Sequence, residues 1–111
     1  MDDCVFCNII QKQVPAQVFF EDDEVVVIQD ILPKAPVHML VILKEHVVSV
    51  AHLENRHQPL VGKMILVAKQ VAESKNIAEA GYKLVFNVGK DGGQIVPHIH
   101  LHVLGGKQFS E

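Results

Sequence analysis

The sequence predicts an α+β domain: a mostly antiparallel five-stranded sheet with one long helix and a short N-terminal helix. Three observations carry this. Strand-like runs arrive in sequential groups with turn residues between them, not as regular strand–helix alternations. Only one stretch, about 57–75, keeps helical periodicity over several turns. A much shorter stretch near the N-terminus shows apolar residues at helical spacing.

The elements follow in order. Residues 4–12 predict the short helix, with Val5, Phe6, Ile9 and Ile10 on one side, ended by Pro15. VFFED (18–22) and EVVVIQD (24–30) read as strands around an acidic turn at Asp22 and Asp23. Pro33 and Pro36 make 31–37 a loop, because proline removes a ladder donor. HMLVILK (38–44) is the next strand. Over 57–75, Val61, Met64, Ile65, Ala68, Val71 and Ala72 fit the i, i+3, i+4, i+7 pattern, and Gly81 lies a few residues beyond. YKLVFNV (82–88) and HIHLHVL (98–104) close the sheet, joined by a glycine-rich loop.

At 111 residues the chain has room for one core, so residues 1–111 are expected to form a single domain. Apolar residues make up 49% of the chain and the mean hydropathy is +0.21. That surplus points to a homo-oligomer. The net charge of −3 comes without any Lys/Arg cluster on a helix face, which argues against nucleic-acid binding. The longest apolar runs, MLVIL and MILVA, are too short for a membrane span. The acidic opening MDDCVFC lacks the positive charge of a secretory leader. A cytoplasmic location is expected. The two cysteines are then thiols or metal ligands, not a structural disulfide.

The chemistry concentrates in PHIHLHVL (97–104). Strand side chains alternate faces, so His98, His100 and His102 would share one face while Ile99, Leu101 and Val103 point to the helix. A solvent face normally mixes residue types, so three imidazoles in a row ask for a job. One ion held by all three is disfavoured, since His98 and His102 would stand about 13 Å apart at Cα. The histidines must divide the work.

These residues resemble the histidine triad signature, His-x-His-x-His followed by apolar positions. DGGQ before it and GG after it are similar to the nucleotide-binding branch of that family. FFEDD, the block DILPKAPVH (30–38), KEH (44–46) and NVGKDGGQ (87–94) extend the resemblance over nearly the whole chain. It implies a purine nucleoside phosphoramidase-like hydrolase. His100 would attack the α-phosphorus to form a nucleotidyl-imidazole, and water would release a nucleoside monophosphate, AMP being the expected product. Histidine suits this step: with a pKa of about 6.5 it is largely neutral and nucleophilic at physiological pH. The second ring nitrogen of His100 would donate to a backbone carbonyl on a neighbouring strand. His102 would help protonate the leaving group, and His38 would orient or relay, although a polar residue opening a strand is the plain alternative.

The same resemblance assigns phosphate contacts to Asn87, Gly93, Gln94 and the Val96 amide. Asn87 would share the more polar face of its strand with Lys83 and Val85. The glycines let backbone N–H groups form an oxyanion nest, which charge stabilisation in phosphoryl transfer requires. Ile95 stands where relatives often have serine, and Pro97 where an aromatic is common. Asp30 matches the ribose position and Ile28 shares its strand face. Phe6, Ile9, Val14 and Ile31 are candidates for the base pocket, with a core role open for Phe6 and Ile9. Dimerisation about a two-fold axis is also implied.

CVFC (4–7) has the spacing of a zinc half-site, a redox dithiol or buried free thiols being the other readings. The resemblance implies a structural Zn²⁺ bound by Cys4 and Cys7 and completed by His46 and His98. His52 and His57 match nothing and are expected in solvent. Two rival functions stay open: a dinucleoside polyphosphate hydrolase, and a zinc-stabilised nucleotide-binding module without turnover.

Overall fold

The computed structural model describes residues 3–111. A short helix α1 (Val5–Ile10) is followed by strands β1 (Val18–Glu21), β2 (Val25–Gln29) and β3 (Val37–Leu43). Two single 3₁₀ turns, Val50–His52 and Asn55–His57, lead into helix α2 (Gln58–Ser74), then β4 (Tyr82–Val85) and β5 (His100–Gly105). The five strands form one sheet in the order β1-β2-β3-β5-β4, every pair antiparallel. The α+β class and its elements are as the sequence predicts. Among the described residues, no helix is long and apolar enough to cross a membrane.

Alternation along the strands sorts side chains onto two covered faces. Val25 and Val27 of β2, Met39, Val41 and Leu43 of β3, and Leu101 and Val103 of β5 pack against α2. Val26, Ile28, Leu40 and Ile42 face the other way and are covered by α1 through Phe6, Cys7 and Ile9. Because β2 and β3 lie inside the sheet with both faces covered, their sequences read as continuous apolar runs.

Several boundaries differ from expectation. Helix α1 stops at Ile10, because Lys12 takes a left-handed φ of 65° well before Pro15. Helix α2 ends within a residue of the expected position 75, and Asn76 just beyond its C-cap is in the left-handed region (φ 62°). Its buried face is Met64, Val67, Ala68, Val71 and Ala72; Ile65 is 45% exposed. Strand β4 ends at Val85, which leaves Asn87 in the loop and off the strand face expected for it.

Candidate active site and metal centre

The histidines do not all lie on one strand. β5 begins at His100, opposite Ile42 of β3, and His98 precedes it in a turn whose amide donates to Val96 O at 2.8 Å. That turn aims the fully buried His98 ring at the cysteines of α1, while His100 and His102 stay on the sheet face. The His98 Nε2–H donates to Leu43 O at 2.6 Å, so Nδ1 keeps its lone pair. Nδ1 lies 3.3 Å from Cys4 Sγ, 3.6 Å from Cys7 Sγ and 3.0 Å from His46 Nδ1.

Cys4 caps α1, its Sγ accepting from the Cys7 amide at 3.3 Å, which turns both thiols to the same side. Cys7 Sγ is 3.2 Å from His46 Nδ1, and the four ligating atoms lie within 4.8 Å of one another. Tetrahedral bonds of ~2.3 Å to sulfur and ~2.05 Å to nitrogen give edges of about 3.3–3.6 Å for N···N and N···S pairs, close to those distances. The donor set also fits: two soft sulfurs and two imidazole nitrogens suit a four-coordinate divalent ion. Burial, then the neighbouring Cys4, pushes the Cys7 thiol up to about 11.

A second cluster, Asp30, His38 and His102, also converges within 4.8 Å. Here the hydrogen bonds leave no lone pairs aimed at a common cation. The Lys34 amide donates to His38 Nδ1 at 3.0 Å, so the ring proton of neutral His38 must sit on Nε2. That Nε2–H faces His102 Nδ1 at 2.9 Å and Asp30 Oδ2 at 3.2 Å. His102 Nδ1 therefore accepts, and His102 carries its own proton on Nε2. Burial, followed by the neighbouring His100 and His38, lowers the His102 pKa to about 4. Burial lowers that of His38 as well.

His100 has the opposite tautomer. Its Nδ1–H donates to the carbonyl of His98 at 2.7 Å, leaving Nε2 basic. The acceptor is two residues upstream, not on a neighbouring strand as expected; the turn at His98 swings that carbonyl inward. Phe6 packs edge-on against the His100 ring, centroids 5.0 Å apart at 76°. The His102 ring centroid is also 5.0 Å away. Burial lowers the His100 pKa, which keeps the nucleophilic form. The result is a lone pair and an N–H donor on adjacent rings.

The loop between β4 and β5 is braced from within. Asn87 Nδ2 donates to Gly92 O at 2.9 Å, the Gly89 amide to Gln94 Oε1 at 2.9 Å, and Gln94 Nε2 to Val48 O at 2.7 Å. The Gly93 and Gln94 amides donate to Lys90 O and Gly89 O. Among the described residues the Ile95 and Val96 amides have no acceptor. A Cβ on Gly92 would stand 2.3 Å from Val88 O, and Gly93 has φ +81°, so this turn needs both glycines. Beside it runs a groove of about 420 Å³ whose lining includes Val48, Lys90, Gly93, Gln94, Ile95 and Pro97. Ile95 is 85% exposed there.

On the nucleoside side the candidates separate. Phe6, Ile9 and Ile28 are buried together under α1, Val14 is exposed, and Ile31 is 88% exposed. Asp30 Oδ1 accepts from the Leu32 amide at 2.8 Å. His57, expected in solvent, is buried: its Nδ1 accepts from the Glu54 amide at 2.9 Å and its Nε2–H meets Glu45 Oε2 at 3.0 Å. His52 is exposed, as expected. The groups that sequence reasoning misses act mostly through backbone, namely the Lys34 amide and the Leu43 and His98 carbonyls, and no side-chain pattern signals those.

Residues 3–110 match the family model described as scavenger mRNA decapping enzyme C-term binding. Over 106 residues the chain is 40% identical to a purine nucleoside phosphoramidase of Escherichia coli K12, covering 96% of this chain and 89% of that one. It is similar in structure to a HIT family hydrolase from Legionella pneumophila, with TM-score 0.95, 42% identity and coverage of 97% and 96%. A Zn-bound histidine triad family protein from Mycobacterium smegmatis superposes with TM-score 0.84, at 33% identity and coverage of 96% and 76%. Two tautomerically distinct imidazoles on one strand, a third turned to a cysteine pair, and relatives alike over most of their length lead to one assignment: the chain belongs to the histidine triad (HIT) family.

Proposed function

We propose that the chain is a hydrolase of nucleoside 5′-phosphoramidates or related nucleotidyl conjugates, acting through a covalent nucleotidyl-His100 intermediate. The single observation that carries this is the Nδ1–H bond from His100 to the His98 carbonyl, which leaves one basic nitrogen beside the His102 donor. His100 Nε2 attacks the α-phosphorus and forms an N–P bond as the P–N bond to the leaving amine breaks. The leaving amine is hydrogen-bonded by the His102 Nε2–H and takes up a proton from solvent, while the positive charge developing on the His100 ring strengthens its bond to the His98 carbonyl. Water then attacks phosphorus and gives its proton to solvent, and the imidazole departs as neutral His100 to release a nucleoside monophosphate, AMP for an adenosine substrate.

Asp30 binds the ribose hydroxyls in this reading, with Ile28, Phe6, Ile9 and Ile31 toward a purine base. The phosphate sits against the Val96 amide and the turn of Asn87, Gly93 and Gln94. Cys4, Cys7, His46 and His98 would hold a structural Zn²⁺ closed to substrate; bound there, it cross-links α1 to the turn before β5 and takes no part in the reaction. The unpaired edge of β4, with exposed Leu84, and the exposed Ile65 and Leu66 of α2 support a homodimer. The cytoplasm is the expected compartment for two buried free thiols.

Ile95 favours one competing reading. An aliphatic side chain at the edge of the loop gives a phosphate no hydroxyl, which suits a module that binds nucleotide without turnover. Incubation with an adenosine 5′-phosphoramidate separates the two. The proposal requires AMP release and an acid-labile nucleotidyl adduct on wild-type protein. In His100→Ala both vanish, with turnover down at least ~10⁴-fold and the circular dichroism unchanged. Tight AMP binding by wild-type protein without release or adduct would select the binding module.

A further inference from the structure

Three of the four metal-site residues are held independently of a metal. His98 is locked through Nε2 to Leu43 O, Cys4 Sγ accepts from the Cys7 amide, and Cys7 is inside α1. His46 is different. Its Nδ1 faces the cluster, but among the described residues its Nε2 has no hydrogen-bond partner. Metal-binding histidines usually fix their orientation through the second nitrogen. His46 also lies on irregular chain. The Lys44 amide donates to Glu24 O on one side, and Val47 O accepts from Ile99 on the other. Between those ties neither Glu45 nor His46 makes a backbone–backbone hydrogen bond among the described residues.

The residue next to it is gripped instead. Arg56 Nη1 reaches Glu45 Oε1 at 3.3 Å and Arg56 Nη2 reaches Oε2 at 2.7 Å, a two-pronged contact. The Nε2–H of His57 adds a bond to Oε2 at 3.0 Å. His57 is only 2% exposed, and the Glu54 amide at its Nδ1 keeps the proton on the side facing Glu45.

We infer that Glu45, clamped by Arg56 and His57, is the positioning residue that delivers His46 to the metal centre. The clamp ties the loop after β3 to the 3₁₀ turn that leads into α2, so the backbone that carries His46 is anchored through its neighbour while the His46 ring faces the cluster. The inference rests on the reading that Cys4, Cys7, His46 and His98 bind a metal.

The test measures Zn²⁺ affinity by competition with a chromophoric chelator, and the ligand-field spectrum of the Co²⁺-loaded protein. Wild type, Glu45→Gln, His57→Ala and His57→Gln are compared. Glu45→Gln and His57→Ala are expected to bind zinc at least about tenfold more weakly. Their cobalt spectra shift as His46 gives way to water, while the metal-free melting temperature of Glu45→Gln moves little. His57→Gln, which keeps an N–H for Glu45, recovers most of the affinity. Wild-type affinity and an unchanged cobalt spectrum in both weakened variants would overturn the inference, as would a fall in metal-free melting temperature with no change in affinity. Wild-type protein that binds neither metal overturns the metal centre itself, and the clamp's role with it.

Discussion

His38 Nε2 lies 2.9 Å from His102 Nδ1 and hands it a hydrogen bond that no other tautomer of His38 can make while the Lys34 amide occupies Nδ1. The order Lys34 N–H, His38, His102 therefore fixes where the proton on His102 resides. Removing His38 frees the His102 ring to turn or to carry its proton on Nδ1. His38→Ala is expected to lower phosphoramidase turnover by roughly 10²–10⁴-fold, the usual range for a general acid, with KM changed far less. His38→Gln, which presents an N–H at similar reach, recovers part of the loss. Steady-state kinetics on both variants checks this.

Acid destabilises the metal-free fold. The ring of His102 has a folded pKa of about 4 against an ordinary value of 6.5. The unfolded chain therefore binds more protons between these values, and stability rises with pH across that window. The neutral ring's contribution is complete above pH 6.5 and is lost as pH falls through about 4. For this group alone, discounted for its partial exposure, the effect is on the order of 2 kcal/mol. His38, His98 and His100, all lowered by burial, act in the same direction. Urea midpoints measured from acid to mildly alkaline pH on chelator-treated protein are expected to fall steadily once the pH drops below the ordinary histidine range. His102→Gln is expected to flatten part of the slope.

Purified protein is expected to hold one zinc per chain. With free zinc a thousandfold above its dissociation constant, binding adds about 4 kcal/mol to stability. For a domain near this size, chelation then lowers the melting temperature by roughly 15 °C. Elemental analysis and a thermal scan with and without chelator check both values, and Cys7→Ser is expected to melt near the chelated protein.

Gly92→Ala places a methyl group 2.3 Å from the Val88 carbonyl, a distance backbone cannot tolerate. The turn must open, breaking the Asn87–Gly92 bond. Nucleotide affinity is expected to fall at least about tenfold, an interaction loss of the size of one hydrogen bond to a charged group, read by calorimetric titration with AMP. The melting temperature moves only a few degrees, because residues 89–93 are exposed and outside both cores.

The sheet is legible because period-two alternation and the Gly and Pro breaks agree along its strands. Residues 25–28 and 39–43 announce a doubly covered strand pair by being apolar throughout. Less legible is the start of β5. HIHLH alternates without interruption, yet the turn at Val96–His98 removes the first histidine from the ladder, and only its approach to the cysteine side shows why. The burial of His57 depends on partners at 45 and 54, which no local pattern reveals. The tautomers are out of reach for a related reason: the groups that set them are main-chain atoms common to every residue.

The turn at His98 gives one residue two duties. Its side chain serves the cysteines while its carbonyl serves the neighbouring ring, and only the first of these requires an imidazole. Every amino acid brings a peptide oxygen. A chain without the cysteine pair therefore needs no histidine at this position to orient the ring of residue 100, only a residue small or apolar enough to fill the buried space and hold the bend. In this chain the three histidines are then two rings set side by side on the sheet face and a third turned to the cysteines.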